Sequence, residues 1–238
     1  PIGSFITPPP AGYVPTGYTP PAATAASNAL DALSAKDSIL SGRFFIIWLI
    51  FFCNITAGIA IIGFQSPLFQ DLWSKLDPGL DKMTLAAYGG TLIAVTSIFN
   101  GLGRFFWGGM SDKIGRVQTF RIMLGSQILC FVALAYLGNP WLFAIVLCYV
   151  LLCYGGGFGT MPAFILDVFG AKTHAIVYGT VLTAWSAAGI VGPQMVAKLK
   201  DMKSPADAAY WTFILGACIL TFGFCVTLLG SNKPYEKK

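Results

Sequence analysis

Long apolar stretches alternate along this chain with short polar connections. Six of the stretches approach the roughly 20 residues an α-helix needs to cross a bilayer. They run approximately over 43–64, 85–109, 119–137, 141–164, 175–196 and 208–230, and the charges and helix breakers gather between them, at 70–82, 111–121, Gly138-Asn139-Pro140, 167–174 and 198–207. No connection has room for a domain outside the membrane. The pattern predicts an all-α integral membrane protein, with a six-helix bundle over 41–232, a Pro/Ala-rich linker over 1–40 and a short tail over 233–238.

Composition strengthens this reading. Hydrophobic residues make up 55% and charged residues 11%, where a soluble domain carries roughly 25% charged residues. Mean hydropathy is +0.70. The 27 glycines suit helices that associate by close approach rather than by hydrophobic burial, which gives no drive inside lipid.

The opening forty residues differ in kind. Pro8-Pro9-Pro10, Pro15, Pro20 and Pro21 precede an alanine-rich polar run, a composition that favours extended chain with one short helix near 29–35. Neither the charged start nor the apolar core of a signal peptide is present. Pro1 opens the linker without an initiating methionine, so the expectation is a chain that begins inside a longer product or follows processing.

An even number of spans leaves both termini on one side, and the basic residues indicate which side that is. Lys36, Arg43, Lys113, Arg116, Arg121, Lys172, Lys233, Lys237 and Lys238 share the terminus side, against Lys75, Lys82, Lys198, Lys200 and Lys203 opposite. Both termini are therefore expected in the cytoplasm, and a bacterial inner (plasma) membrane is the expected location. The net charge of +5 follows from this distribution, with no basic stripe suited to nucleic acid.

The six cysteines, Cys53, Cys130, Cys148, Cys153, Cys218 and Cys225, all fall in apolar stretches without a CxxC pair. They read as small buried hydrophobes rather than metal ligands or disulfides. No nucleophile with its base, carboxylate pair or phosphate loop stands out, so neither an enzyme nor a cofactor is expected.

One charge is out of place. Arg104 lies within the second stretch, about 12 Å along a helix from Asp112 and thus well inside a core about 30 Å thick. A cation there must face a bundle interior, a cavity, a partner or a bound ion. A guanidinium presents planar, bidentate donors to a carboxylate and stays charged at physiological pH. Asn100, one turn earlier on the same face, is placed to orient either group.

The run Gly108-x-x-x-Asp112-Lys113-x-Gly115-Arg116 resembles the loop that joins the second and third helices of each half of the major facilitator superfamily. Val117 departs from that pattern, which expects a second basic residue. The physics is independent of the name. Gly108 permits close helix contact, Gly115 a tight turn, and Asp112 with Lys113, Arg116 and Asp167 makes a charge network that can break as two halves rock. The leading Pro8-Pro9-Pro10-Ala11-Gly12-Tyr13 and Gly17-Tyr18-Thr19-Pro20-Pro21, Asn100-Gly101-x-Gly103-Arg104, Pro162-Ala163-Phe164 with Asp167-x-Phe169-Gly170, and Tyr178-Gly179 through Ala188-Gly189 are similar to the oxalate/formate antiporter family and its monocarboxylate-transporter relatives. The resemblance covers nearly the whole chain. It implies a linker followed by helices seven to twelve, the C-terminal six-helix half of a twelve-helix major facilitator fold.

By this resemblance Arg104 contributes to binding a substrate carboxylate. The alternative is an arginine neutralised by an acidic residue of the other half. Oxalate antiporters carry a lysine in the eleventh helix where this chain has Trp185, so one cation of a dicarboxylate site is absent. A monocarboxylate such as formate, lactate or pyruvate is then expected, with a proton as coupling partner. Trp185 reads equally as pocket wall or as packing. Tyr154 and Asn54 are further pocket candidates. The glycines at 155–157 and 159 serve either a bendable helix or close packing, and Gly189, Gly192 and Pro193 suggest a bend in the fifth stretch. The expected partners are an N-terminal six-helix half on the same or a separate chain, a small carboxylate and the bilayer. Oxalate/formate-type exchange and a non-transporting subunit of a larger membrane complex are the competing readings.

Overall fold

The computed structural model describes Tyr13, Leu30 and residues 33–236. Most of the linker, residues 29, 31 and 32 of the short helix expected at 29–35, and Lys237 and Lys238 lie outside the described residues; Leu33 and Ser34 are not helical, and the helix observed there starts at Ala35. The helices are α1 (Ala35–Ile39), α2 (Gly42–Ile62), α3 (Gln65–Leu76), α4 (Lys82–Ile114), α5 (Arg116–Leu134), α6 (Pro140–Phe169), α7 (Ala171–Val181), α8 (Thr183–Met202) and α9 (Pro205–Thr227). Among the described residues six spans are long and apolar enough to cross a membrane: α2, α4, α5, α6, the α7–α8 pair and α9.

Local chemistry starts several of these helices. Ser41 accepts from the Phe44 N–H at 3.2 Å, Asp81 from Thr84 at 3.0 Å and Asn139 from Trp141 at 2.9 Å, each replacing a bond that the first turn lacks. The Thr84 hydroxyl and amide also hold the Asp81 carboxyl below its usual range. Pro140 and Pro205 open α6 and α9, where a missing N–H does no harm.

Three features differ from the sequence reading. The connection expected from residue 70 onward is largely helical. Leu68, Phe69, Leu72, Trp73 and Leu76 give α3 one apolar face, and α3 packs on α4 and α6; its 12 residues are too few to cross a bilayer. α4 and α6 run past their expected ends to Ile114 and Phe169, because Ser111, Asp112, Lys113 and Asp167 are compatible with a final helical turn at the membrane edge. The interruption of the fifth span falls at Leu182 rather than near Gly189 and Pro193, and α8 continues through Pro193.

α6 is the organising element. It packs on α4, α5 and α2, while α2 contacts α8 and α9, and α9 contacts α5. Phe51, Phe120, Phe131, Phe164 and Phe169 fill the centre with almost no exposure. The α4–α6 contact is the most extensive, and it is made backbone to backbone. A Cβ on Gly155 would stand 1.9 Å from the Asn100 carbonyl oxygen, one on Gly103 2.0 Å from that of Leu152, and one on Gly159 2.4 Å from that of Arg104. Dispersion between closely approaching backbones replaces the hydrophobic drive that lipid removes.

The six cysteines are free thiols on the spans, with Cys218 and Cys225 on the exposed side of α9. Burial varies sharply among spans. Within the most apolar window, 61% of α2 is buried but only 17% of α4 and 28% of the α7–α8 pair.

Candidate functional site

α4 brings Arg104 to the level of Gly159, where the absence of side chain on the α6 glycine lets the two backbones touch. Its carbonyl side faces α6, and the guanidinium reaches over the Phe158 ring, 5.8 Å from the centroid. Phe158 packs edge-on against Trp185 of α8 at 5.8 Å and against Tyr154, one turn earlier on α6, at 5.4 Å. Arg104 of α4 is thereby joined through Phe158 to an aromatic cluster contributed by α6 and α8, while Tyr178 of α7 stacks on His174 with ring centroids 5.8 Å apart. Among the described residues neither ion pair includes Arg104.

Trp185 is 48% exposed. Trp48 of α2 donates its indole N–H to the Thr183 hydroxyl at 2.9 Å beside the α7–α8 interruption. Asn100 directs its Oδ1 into the α4–α6 contact, buried and without a hydrogen-bond partner among the described residues.

Asn54 sits elsewhere. It is fully buried between α2, α5 and α6, where its amide donates to the Cys153 carbonyl at 3.4 Å and accepts from Gln127 at 2.9 Å. Both ends of the amide are used inside the bundle, at a three-helix junction. Such interhelical bonds contribute about 0.6 kcal/mol each in a membrane protein.

Phe158 was not among the candidate site residues read from the sequence, and Tyr178 entered only as part of a motif. Phe158 follows Tyr154 by one turn on the same face of α6, whereas the interruption at Leu182 separates Tyr178 from Trp185. Aromatic residues are so frequent here, 19 Phe and 9 Tyr, that spacing without tertiary contacts did not single them out.

The second cluster lies at the terminus-side ends of α4, α5 and α6. Arg116 pairs with Asp167 at 2.8 Å, with Asp112 one turn back, and donates to the buried Ser111 hydroxyl. Gly115 turns the chain from α4 into α5 at φ 89°, and Gly170 does the same from α6 into α7 at φ 80°, both in the region that side chains disfavour. Gly108 approaches the Gly159 carbonyl at the α4–α6 crossing. Lys113 is exposed and belongs to neither ion pair. The charged turn therefore ties three helix ends within one bundle.

A helical bundle whose longest span carries a cation among aromatic rings, with a charged turn locking its helix ends, has the build of a membrane transport protein. The chain belongs to the major facilitator superfamily, whose family model matches residues 4–193. It is similar to the oxalate:formate antiporter of Oxalobacter formigenes, with 29% identity over 67% of this chain and 36% of that protein. It is also similar to the multidrug resistance protein MdtG of Proteus mirabilis, with 27% identity over 87% of this chain and 50% of that protein. Apicoplast pyruvate carrier 1 of Toxoplasma gondii is 27% identical over 66% of this chain and 28% of its own length. The chain thus matches no more than half the length of these relatives.

Proposed function

We propose that this chain is the C-terminal half of a secondary active transporter for small organic monocarboxylates, working by alternating access with an N-terminal six-helix half. The observation that carries the reading is Arg104, a permanent cation deep in a span, free of a carboxylate partner among the described residues and flanked by aromatic rings. One guanidinium neutralises one carboxylate, and the rings accommodate a small apolar body. The low burial of α4 and of α7–α8 supports a second bundle covering that face, and both termini lie on the cytoplasmic side of a bacterial plasma membrane. The similarity to an oxalate:formate antiporter and to a pyruvate carrier points to the same substrate class.

The first experiment is intact mass of the purified protein and its stoichiometric companions, followed by uptake of radiolabelled formate, lactate, pyruvate and oxalate into proteoliposomes. A six-helix companion or a doubled chain, with saturable monocarboxylate uptake, is the expected result. An unrelated companion subunit and no uptake of any of the four anions would replace the transporter with an accessory subunit.

Two substitutions probe the chemistry. Trp185→Lys places a second cation beside Phe158, the ring that Arg104 covers, and is expected to raise oxalate uptake relative to pyruvate by about tenfold, the effect of roughly 1.4 kcal/mol. An unchanged ratio removes Trp185 from the pocket. Arg116→Gln breaks both ion pairs, yet a partly exposed pair contributes only about 0–1 kcal/mol to stability. Thermal stability should change little while uptake slows, and a charge swap, Arg116→Asp with Asp167→Arg, should recover part of the rate. Equal loss in the swap and in the single variant would mean that the pair itself does not control the rate.

A further inference from the structure

The residues that follow α9 fold back over the terminus-side ends of three helices. The Asn232 side-chain carbonyl accepts from the Val117 N–H of α5 at 2.9 Å. The Tyr235 N–H donates to the Val168 carbonyl of α6 at 2.8 Å, and the Tyr235 ring rests on Phe169 with centroids 5.9 Å apart. From α2, Arg43 donates to the Lys233 carbonyl. A single short segment thus bonds to α2, α5 and α6.

Two details give this segment a specific task. α5 begins at Gly115 and has no side-chain cap of its own. Asn232 supplies the missing cap from the far end of the chain, satisfying an N–H that the first turn leaves free. Gly115 is fitted to this twice over: its φ of 89° suits glycine, and a Cβ there would stand 2.6 Å from the Asn232 amide nitrogen. The second detail is register. Val117 is next to Arg116 and Val168 is next to Asp167, so the segment grips the chain beside both members of the ion pair.

We propose that residues 231–235 form a strap, anchored by Asn232, that positions the Arg116–Asp167 pair and sets how readily the terminus-side ends of α5 and α6 separate. A partly exposed ion pair holds two helix ends only weakly by itself; the strap adds a backbone bond on each side of it. Asn232 is a positioning residue and touches no substrate. The consequence for transport rests on the alternating-access reading above, whereas the contact itself is testable without any substrate.

Hydrogen exchange on the full protein in lipid nanodiscs tests it, comparing the wild type with Asn232→Ala, Asn232→Asp and Tyr235→Pro. Asn232→Ala should accelerate exchange about fivefold, the order of a lost cap, both at 116–119 and at 166–170. Asn232→Asp keeps an acceptor at the start of α5 and should behave as the wild type. Tyr235→Pro deletes the donor to Val168 together with the ring that rests on Phe169, leaving Asn232 in place, and should reproduce both accelerations. Acceleration confined to 116–119 would leave Asn232 as a local cap and overturn the strap. So would even acceleration over all six spans, no acceleration, or an Asn232→Asp variant as loose as Asn232→Ala. Uptake of labelled pyruvate by the same variants reads the consequence: a changed maximal rate at unchanged half-saturation is expected. If exchange responds as stated while even the wild type carries no pyruvate, the strap stands and the transport reading falls.

Discussion

Arg104→Ala is expected to abolish carboxylate uptake while leaving the bundle folded. The guanidinium has no ion pair among the described residues to lose, and its intramolecular contact over Phe158 is a cation–π interaction of about 0.5–2 kcal/mol. A substrate carboxylate, by contrast, would lose the cationic partner proposed for it within the membrane. Truncating one member of such a pair costs about 2–5 kcal/mol, roughly thirtyfold to several thousandfold in affinity. Arg104→Lys keeps the charge but not the planar fork, and is expected to fall between the wild type and Arg104→Ala. Binding of pyruvate or formate, followed by tryptophan fluorescence or calorimetry, checks both variants beside a thermal melt. Undiminished binding in Arg104→Ala would move the carboxylate contact to another residue.

Gly155→Ala is expected to damage stability and transport together, although it adds a single methyl group. That carbon would lie 1.9 Å from the backbone oxygen and 2.8 Å from the carbonyl carbon of Asn100. A side chain in the way could rotate; a helix backbone cannot. α4 and α6 must move apart, at an expected cost of about 1–3 kcal/mol, and the movement displaces Arg104 from Phe158. Gly101→Ala is the control: the same added methyl group within a helix, at an exposed position of α4 with no atom within 4 Å of the new carbon. There the substitution should be neutral or stabilise by up to about 1 kcal/mol through lost chain entropy. Melting temperatures of the two variants in detergent should diverge, with Gly155→Ala well below the wild type. A melt indistinguishable from Gly101→Ala would show that the helix contact yields more easily than its geometry indicates.

These glycines illustrate where sequence reading stops. A run of Gly155-Gly156-Gly157 is compatible with a hinge or with close packing, since both need a small residue. Only the opposing atoms decide: the Asn100 carbonyl against Gly155, the Trp107 ring against Gly156 and the Asn54 amide against Gly157 make this stretch of α6 a packing surface. Asn54 shows the converse. A polar residue in an apolar stretch looks available to a ligand, until Gln127 and the Cys153 carbonyl are found at its two ends. Phe158 was hidden by abundance, because periodicity cannot rank one aromatic residue over another.

The membrane class, the six spans and the presence of an unusual cation within one of them were legible in the sequence by itself. Those properties follow from length, hydropathy and the cost of a charge in lipid, all of which are summed along the chain. Tertiary structure alone decided that Arg104 meets the cluster of Phe158, Tyr154 and Trp185, that Arg116 joins three helix ends, and that Asn232 caps α5. Each of these depends on which atoms from distant segments share a few ångströms, a question that backbone packing between helices settles and that no local pattern encodes.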